Sequence, residues 1–229
     1  YLKPSFLTPF NIQILLAAIS VNMVIALAQM LIVGIGQMNL SVGAIGGLVA
    51  ISFAGLMDVF QLPIPLAVLV GLLIGLAAGL FNGVIIAFTG ISAFIITLAS
   101  LSVFKGINLG ITEAQPFYGV AESIKSFGNS SLLGTFPLLI LPTLVCLVGV
   151  WFLLNRMRYG RHLLAVGASP TAAGLVGISV RNIVIGTHAL SGLLAAVAGM
   201  MVVARLQIGQ PTIGDDWLIL SFAAPVIGG

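Results

Sequence analysis

Charged residues are scarce in this chain of 229 residues, which has only 8 Lys and Arg and 5 Asp and Glu. Apolar residues make up 60% of the chain, and the mean hydropathy is +1.25. Soluble domains typically carry about 25% charged residues, whereas this chain carries 6%. Such a composition excludes an ordinary soluble enzyme and a disordered chain, and it predicts a polytopic membrane protein.

Cysteine and histidine are also rare. One cysteine (Cys146) and two histidines (His162 and His188) exclude a disulfide framework and a Cys/His zinc cluster, so no metal site is predicted. The net charge is +3 and the basic residues are sparse, which argues against a nucleic-acid partner. The sequence has no Gly-x-x-x-x-Gly-Lys phosphate loop. We therefore expect no cofactor bound by this chain and no catalytic residues.

Long uncharged runs predict the membrane spans. No charged residue occurs between Lys3 and Asp58, or between Asp58 and Lys105, and each run is long enough for two spans of about 20 residues. Divided at polar and helix-breaking residues, the sequence predicts at least six spans and the start of a seventh at Trp217. The six predicted spans are 10–34, 40–57, 66–88, 91–109, 135–154 and 183–204.

The predicted fold class is therefore all-α, a polytopic transmembrane helical bundle that forms a single domain over residues 1–229. The first residue is Tyr1 rather than methionine, and the last apolar run is too short to cross a bilayer. We expect the natural protein to extend beyond both ends.

Residues 155–182 form a basic loop with four arginines and no acidic residue, which favours the cytoplasmic side. Within it, Ser169 is a good N-cap, Pro170 suits the first helical position, and Gly177 suits a left-handed end. The pattern predicts a helix too short to span the membrane. Its small residues fit a groove on another protein; the alternative is an incidental loop helix.

Small residues at helical spacing predict close helix packing. Gly71, Gly75, Gly79 and Gly83 lie four residues apart on one helix face, and Gly43 and Gly47 begin a similar stripe on the second span. Such ridges allow another helix to approach closely. They are compatible with static packing or with moving parts.

Polar residues interrupt the apolar spans. Asn39 or Ser41 is predicted to cap the second helix, although a helix start there also presents N–H groups to a polar ligand. Lys105 is expected to extend its side chain to the membrane interface. Acidic residues are absent from the predicted spans, which argues against a proton-coupled carrier. Further polar side chains either line a route or bond neighbouring helices: Asn82, Ser92, Thr97, Ser100, Ser102 and Asn108.

Several short motifs occur in one order along nearly the whole chain, and together they resemble a known family. They are Phe6-Leu7-Thr8 with Asn11, Asn39-Leu40-Ser41-Val42-Gly43, Ala78-Gly79-Leu80-Phe81-Asn82-Gly83, Phe94-Ile95-Ile96-Thr97-Leu98, Arg158-Tyr159-Gly160-Arg161, Gly167-Ala168-Ser169-Pro170-Thr171-Ala172-Ala173, Ala198-Gly199, Arg205-Leu206, Gln210-Pro211 and Gly228-Gly229. The set is similar to permease subunits of bacterial ABC importers of the ribose type, within the ribose and branched-chain amino-acid permease family. The chain departs from the family at Gly36-Gln37-Met38-Asn39, where members usually have Gly-Gly-Ile-Asp.

The resemblance implies a multi-pass permease of the bacterial inner membrane that pairs with itself or a close relative. It also implies two cytoplasmic ATP-binding subunits, which hold the ATP, and a periplasmic solute-binding protein. The short loop helix would be the coupling helix that docks on the ATPase. The residues assigned to that coupling are Gly167, Ala168, Ser169, Pro170, Thr171, Ala172, Ala173, Gly174 and Gly177.

We expect the permease to form an alternating-access path for a small polar solute, most simply a monosaccharide. Because polar side chains in apolar spans are costly, we expect Asn39, Ser41, Asn82 and Thr97 to line that path. One alternative is a branched-chain amino-acid permease subunit. The others are an ATP-independent channel or ion-coupled carrier, and a purely structural membrane subunit.

Overall fold

The computed structural model describes residues 8–132 and 134–228, so Tyr1, Lys3, Phe6, Leu7 and Gly229 lie outside the described part. Within that part the chain forms ten helices and one short hairpin. The helices are α1 (Pro9–Gly34), α2 (Val42–Asp58), α3 (Ile64–Thr89), α4 (Ala93–Thr112), α5 (Glu122–Asn129), α6 (Ile140–Arg156), α7 (Arg158–Ala168), α8 (Pro170–Leu175), α9 (Val180–Leu206) and α10 (Trp217–Gly228). The hairpin pairs β1 (Ser131–Leu132) antiparallel with β2 (Phe136–Pro137).

Four of these helices, α1, α3, α4 and α9, are long and apolar enough to cross a membrane. A fifth candidate consists of α6 and α7 together, which are bent by 75° at their junction. The remaining apolar helix, α2, has 17 residues. At about 1.5 Å per residue it is shorter than the roughly 30 Å of a bilayer core.

One predicted span boundary was wrong, and two helices were not predicted. The fifth predicted span began at residue 135, but α6 begins at Ile140 because Gly134, at φ +77°, turns the chain into the hairpin. Between the fourth and fifth predicted spans the chain contains α5, and the basic loop 155–182 contains α7 in addition to the short helix α8. The buried residues of α7 include Leu163 and Val166, whose three-residue spacing was the overlooked signal for an amphipathic helix.

The antiparallel pair of α3 and α9 is the most extensive helix contact in the bundle. The predicted glycine ridge of α3 faces α9. A Cβ at Gly83 would lie 2.8 Å from Ile185 Cα, and one at Gly71 would lie 3.1 Å from Met200 Sδ. Between them, Gly79 meets the backbone of His188. The ridge therefore lets two helix backbones run side by side.

A second close contact joins α2 to the chain after α9. A left-handed Gln207, at φ +63°, ends α9, and the following segment folds back along α2. Cβ atoms at Gly43 and Gly47 would clash with the carbonyl oxygens of Gly214 and Ile213. The starts of α2 and α10 consequently lie beside each other within the bundle.

Candidate functional site

The connection between α1 and α2 is a non-helical segment of residues 35–41, which is exposed at Gly36 and Met38 and enters the bundle at Asn39. Gly36, at φ +72°, turns the chain after α1, and Leu40, Asn39 and Ser41 are buried. Irregular backbone at membrane depth requires partners for its polar groups, because the bilayer core supplies no water. The side chains around this segment supply those partners.

The structure brings the four predicted path residues together around this segment. The side-chain oxygen of Asn39 accepts hydrogen bonds from the amide of Ser41 at 2.9 Å and its hydroxyl at 2.7 Å. From α3, Asn82 donates to the same hydroxyl at 2.8 Å. From α4, the hydroxyl of Thr97 accepts from the Leu40 amide at 3.1 Å. All four predicted side chains are buried.

Ser41 occupies the N-cap position of α2, but no side chain caps this helix. The predicted capping role of Asn39 or Ser41 was therefore wrong. The Ser41 hydroxyl is engaged by Asn39 and Asn82, so it is not directed at the amides of the first helical turn. The two residues stabilise the irregular segment rather than the helix end.

Two glutamines that sequence reasoning missed also hold this segment. With its amide oriented to satisfy both partners, Gln29 of α1 donates to the Asn39 carbonyl at 3.0 Å and accepts from the Asn39 amide at 3.3 Å. The Oε1 atom of Gln37 lies 3.0 Å from Nε2 of His188, a buried residue of α9. Since an amide oxygen only accepts, Nε2 carries the proton in this pair. Both glutamines are polar residues in the uncharged run between Lys3 and Asp58. Their polarity within an apolar stretch was the signal that could have identified them.

Several buried polar side-chain atoms of this segment, of α3 and of α9 have no partner within the described residues. They include Asn39 Nδ2, Asn82 Oδ1, His188 Nδ1 and Ser191 Oγ. A buried polar atom without a partner costs about 1–3 kcal/mol. Such groups are suited to bind water or a polar ligand. Among the described residues, no group of three or more His, Cys, Asp or Glu side chains is placed to hold a metal ion.

The short helix α8 has the local geometry expected from its sequence. The Ser169 hydroxyl accepts from the Ala172 amide at 3.2 Å, Pro170 is the first helical residue, and Gly177 adopts φ +84°. The helix presents more than small residues, however. Leu175 and Val176 are 85% and 76% exposed, among the most exposed large apolar side chains described.

The helices preceding α8 rest on the end of α1. Gly167 approaches Gly34 so closely that a Cβ at Gly167 would clash with the Gly34 carbonyl oxygen. A Cβ at Gly34 would in turn lie 2.9 Å from the Leu163 side chain. The exposed helix α8 is thus connected by direct packing to the residues that lead into the buried polar segment.

Several long apolar helices, an irregular polar segment between α1 and α2 and an exposed short helix together indicate a polytopic membrane protein. Residues 11–229 match the family described as the branched-chain amino acid transport system / permease component. The chain belongs to this permease family and is a multi-pass protein of the bacterial inner membrane. The resemblance derived from the sequence motifs is thereby confirmed.

Three similar proteins are permeases named for the sugars ribose, allose and fructose. The chain is 35% identical to the ribose import permease protein of Bacillus subtilis, covering 100% of this chain and 71% of that protein. It is 34% identical to the D-allose transport system permease protein of Escherichia coli, covering 98% and 68%. It is 31% identical to the fructose import permease protein of Rhizobium meliloti, covering 98% and 64%. No solved structure matches the chain.

Proposed function

We propose that this chain is the permease subunit of an ATP-driven importer of a monosaccharide. The observation that carries this proposal is the match, along essentially the whole chain, to relatives named for ribose, allose and fructose. All three sugars are neutral and carry several hydroxyl groups. Because the relatives are named for such sugars, a monosaccharide is favoured over a branched-chain amino acid. Membership of the permease family disfavours an independent channel, a carrier or a purely structural subunit.

We further propose six spans over one permease domain, with α10 as the start of a seventh. The short helix α2 completes its crossing with the non-helical segment 35–41, which is buried at Asn39, Leu40 and Ser41. The other spans are α1, α3, α4, α6 and α9. Residues 155–182, with four arginines, lie on the cytoplasmic side in this arrangement.

The ATP-binding partner docks on α8 in this proposal, through the stretch from Gly167 to Gly177. Exposed Leu175 and Val176 offer apolar contacts that a single chain leaves uncovered. ATP belongs to that partner, and this chain binds no cofactor. Docking movements reach the bundle through Gly167, which packs on Gly34, and through the Gln37–His188 hydrogen bond beside the polar segment.

The solute path passes the polar segment held by Asn39, Ser41, Asn82 and Thr97. Support comes from the unpartnered atoms Asn39 Nδ2 and Asn82 Oδ1, which offer one donor and one acceptor at the same place. A second permease subunit, identical or closely related, completes the path. A periplasmic solute-binding protein delivers the sugar.

The test is purification of the full-length permease from its own membrane, followed by reconstitution in vesicles with the subunits that accompany it. We expect an ATPase to co-purify and ATP-dependent uptake of a sugar among D-ribose, D-allose and D-fructose. Leu175→Glu should abolish ATPase recovery, because it places a charge in an apolar contact. Phe60→Glu is the matched control, since Phe60 is also a highly exposed apolar residue and lies at the opposite end of the bundle.

Recovery of the ATPase with both variants would contradict the docking site. Sugar flux that does not need ATP would support a channel or carrier instead. Uptake of leucine but of none of the three sugars would support the branched-chain amino-acid alternative.

A further inference from the structure

We propose that Lys105, Asn108 and Asp215 form a recognition site for the hydroxyl groups of a neutral sugar, where the starts of α2 and α10 meet α4. This inference rests on the proposed function and assigns part of its solute contacts. Lys105 and Asp215 were not candidate path residues in the sequence, whereas Asn108 was one of several polar side chains for which lining a route was one of two alternatives.

A cavity of about 80 Å³ lies at this position. Gly43 and Ala44 from the first turn of α2, Gly214 and Leu218 around the start of α10, and Leu101 of α4 contribute to its wall. This exceeds the roughly 10–15 Å³ that a cavity needs to hold one water molecule, so a hydroxyl-sized polar group fits there. The cavity therefore accommodates the hydroxyl-bearing edge of one sugar ring.

Lys105 and Asp215 form an ion pair, with Nζ 2.9 Å from Oδ1. Lys105 lies in α4, one of the membrane-spanning helices, yet the side chains of the pair are 43% and 45% exposed in the single chain. A charged pair that is half-exposed to hydrocarbon is strongly unfavourable, so charges in spans face a bundle interior or a water-filled cavity. The exposed side of the pair therefore faces water rather than lipid, and the adjoining cavity is where that water meets the bundle.

Asn108 supplies an independent indication of a ligand. Its side chain is 3% exposed and lines the same cavity. Its Nδ2 donates to the Pro211 carbonyl at 3.1 Å, which fixes the amide orientation, while its Oδ1 has no partner within the described residues. A buried amide oxygen held in place without a donor is complementary to a ligand hydroxyl.

The first turns of two helices also line this cavity. The first amides of an α-helix have no acceptor within the helix. Here Gly43 and Ala44 belong to the first turn of α2, and Leu218 belongs to that of α10. Discontinuous membrane helices commonly place such ends at solute sites.

The combination of groups selects a neutral polyhydroxyl compound. Asp215 and Asn108 accept hydrogen bonds, whereas Lys105 and the helix amides donate them. Because Lys105 and Asp215 neutralise each other, the site favours neither an anion nor a cation. A sugar hydroxyl both donates and accepts, so neighbouring hydroxyls can bond to both members of the pair.

The site adjoins the proposed path. Leu40 lines the cavity, and its amide donates to Thr97 at 3.1 Å. A sugar held by Lys105, Asn108 and Asp215 thus lies directly beside the polar segment 35–41, which belongs to the proposed solute path.

The experiment uses the complete importer in vesicles and measures two quantities, sugar uptake and the ATPase rate stimulated by the loaded solute-binding protein. We expect Lys105→Met, Asp215→Asn and Asn108→Leu each to reduce uptake by about ten- to hundredfold, the range for losing a hydrogen bond to a charged or buried group. The stimulated ATPase rate should persist, because binding-protein docking and ATP hydrolysis do not use this site. Lys125→Met is the matched control, since it breaks the Lys125–Glu122 pair on α5 outside the bundle spans.

A charge exchange separates recognition from structural stabilisation. The double variant Lys105→Asp with Asp215→Lys retains an ion pair but exchanges donor and acceptor relative to Asn108. A recognition site predicts that uptake stays low in the double variant. Recovery of uptake to the wild-type rate would show that the pair is only structural and would overturn the proposal.

A protection measurement keeps the proposal testable if these variants fail to assemble. In a Cys146→Ala background, Leu101→Cys places a thiol in the cavity wall, and Ser52→Cys places one in a separate cavity along α2. We expect the transported sugar to slow maleimide labelling at position 101 by at least about threefold and not at position 52.

The outcomes distinguish this inference from the proposed function. If the wild-type importer takes up a sugar that does not protect the thiol at position 101, the recognition site is wrong and the proposed function stands. If the wild-type complex takes up none of D-ribose, D-allose and D-fructose, both are overturned.

Discussion

Gly75 of α3 and Gly192 of α9 cross with no side chain between them. A Cβ at Gly75 would lie 2.6 Å from the Gly192 carbonyl oxygen and 2.5 Å from the Ala196 Cβ. Lipid supplies no hydrophobic drive for helix association, so membrane helices depend on close backbone packing of this kind. The crossing lies near the middle of both helices and sets their separation.

The first prediction concerns this crossing. Gly75→Leu should destabilise the bundle by about 1–3 kcal/mol, the usual cost of overpacking, because neither the Gly192 carbonyl nor the Ala196 Cβ can rotate aside. The measurement is the midpoint of thermal unfolding in detergent. Gly149→Leu on α6 is the control, since a Cβ there meets nothing within 4 Å. Equal midpoints for the two variants would contradict the packing role of the ridge.

The second prediction concerns Thr97 and the irregular segment. Thr97→Val should leave the buried Leu40 amide without its acceptor, at a cost of about 1–3 kcal/mol, whereas Thr97→Ser should retain most of the stability. Both the unfolding midpoint and sugar uptake should fall in the valine variant and recover in the serine variant. A valine variant as stable and active as the wild type would show that the segment does not depend on this bond.

The third prediction concerns the N-cap of α8. Ser169→Ala removes the acceptor for the Ala172 amide and should cost about 1 kcal/mol of helix stability, whereas Ser169→Asp should restore the cap. Because α8 is only six residues long, we expect weaker ATPase binding for the alanine variant, by about fivefold, with recovery in the aspartate variant. The readout is the affinity of the purified permease for its ATPase. Equal affinities for all three proteins would contradict a structured docking helix.

Much of the helical architecture could be predicted because its signals are local. The first span, predicted as 10–34, agrees with α1 within one residue, since Pro9 and the uncharged run mark it in the sequence. The cap and proline of α8 are also local, and they were recognised correctly. In contrast, α7 was missed because arginines and glycine obscure its apolar spacing, and its burial depends on the packing of Leu163 and Val166.

The candidate path residues also show the difference between what local sequence signals reveal and what depends on tertiary packing. The sequence showed that Asn39, Ser41, Asn82 and Thr97 are polar residues in apolar spans, where burying a polar group costs free energy. It did not show that they lie around one segment of the fold. Asn82 bonds to Ser41 across 41 residues of sequence, and Thr97 bonds to the Leu40 amide across 57 residues. Gln29 escaped notice because a lone glutamine in an apolar run has no local pattern.

Composition and motif order by themselves determined that this protein is a helical membrane permease, because hydropathy and short-range spacing dictate which segments can enter a bilayer. Only the tertiary structure decided that α2 and α10 begin side by side inside the bundle, next to Lys105, Asn108 and Asp215. Lys105 lies in α4 and Asp215 lies after α9, so their ion pair exists only once the segment after Gln207 has folded back along α2. Contacts between residues so distant in sequence depend on the packing of whole helices, and no local pattern encodes that packing.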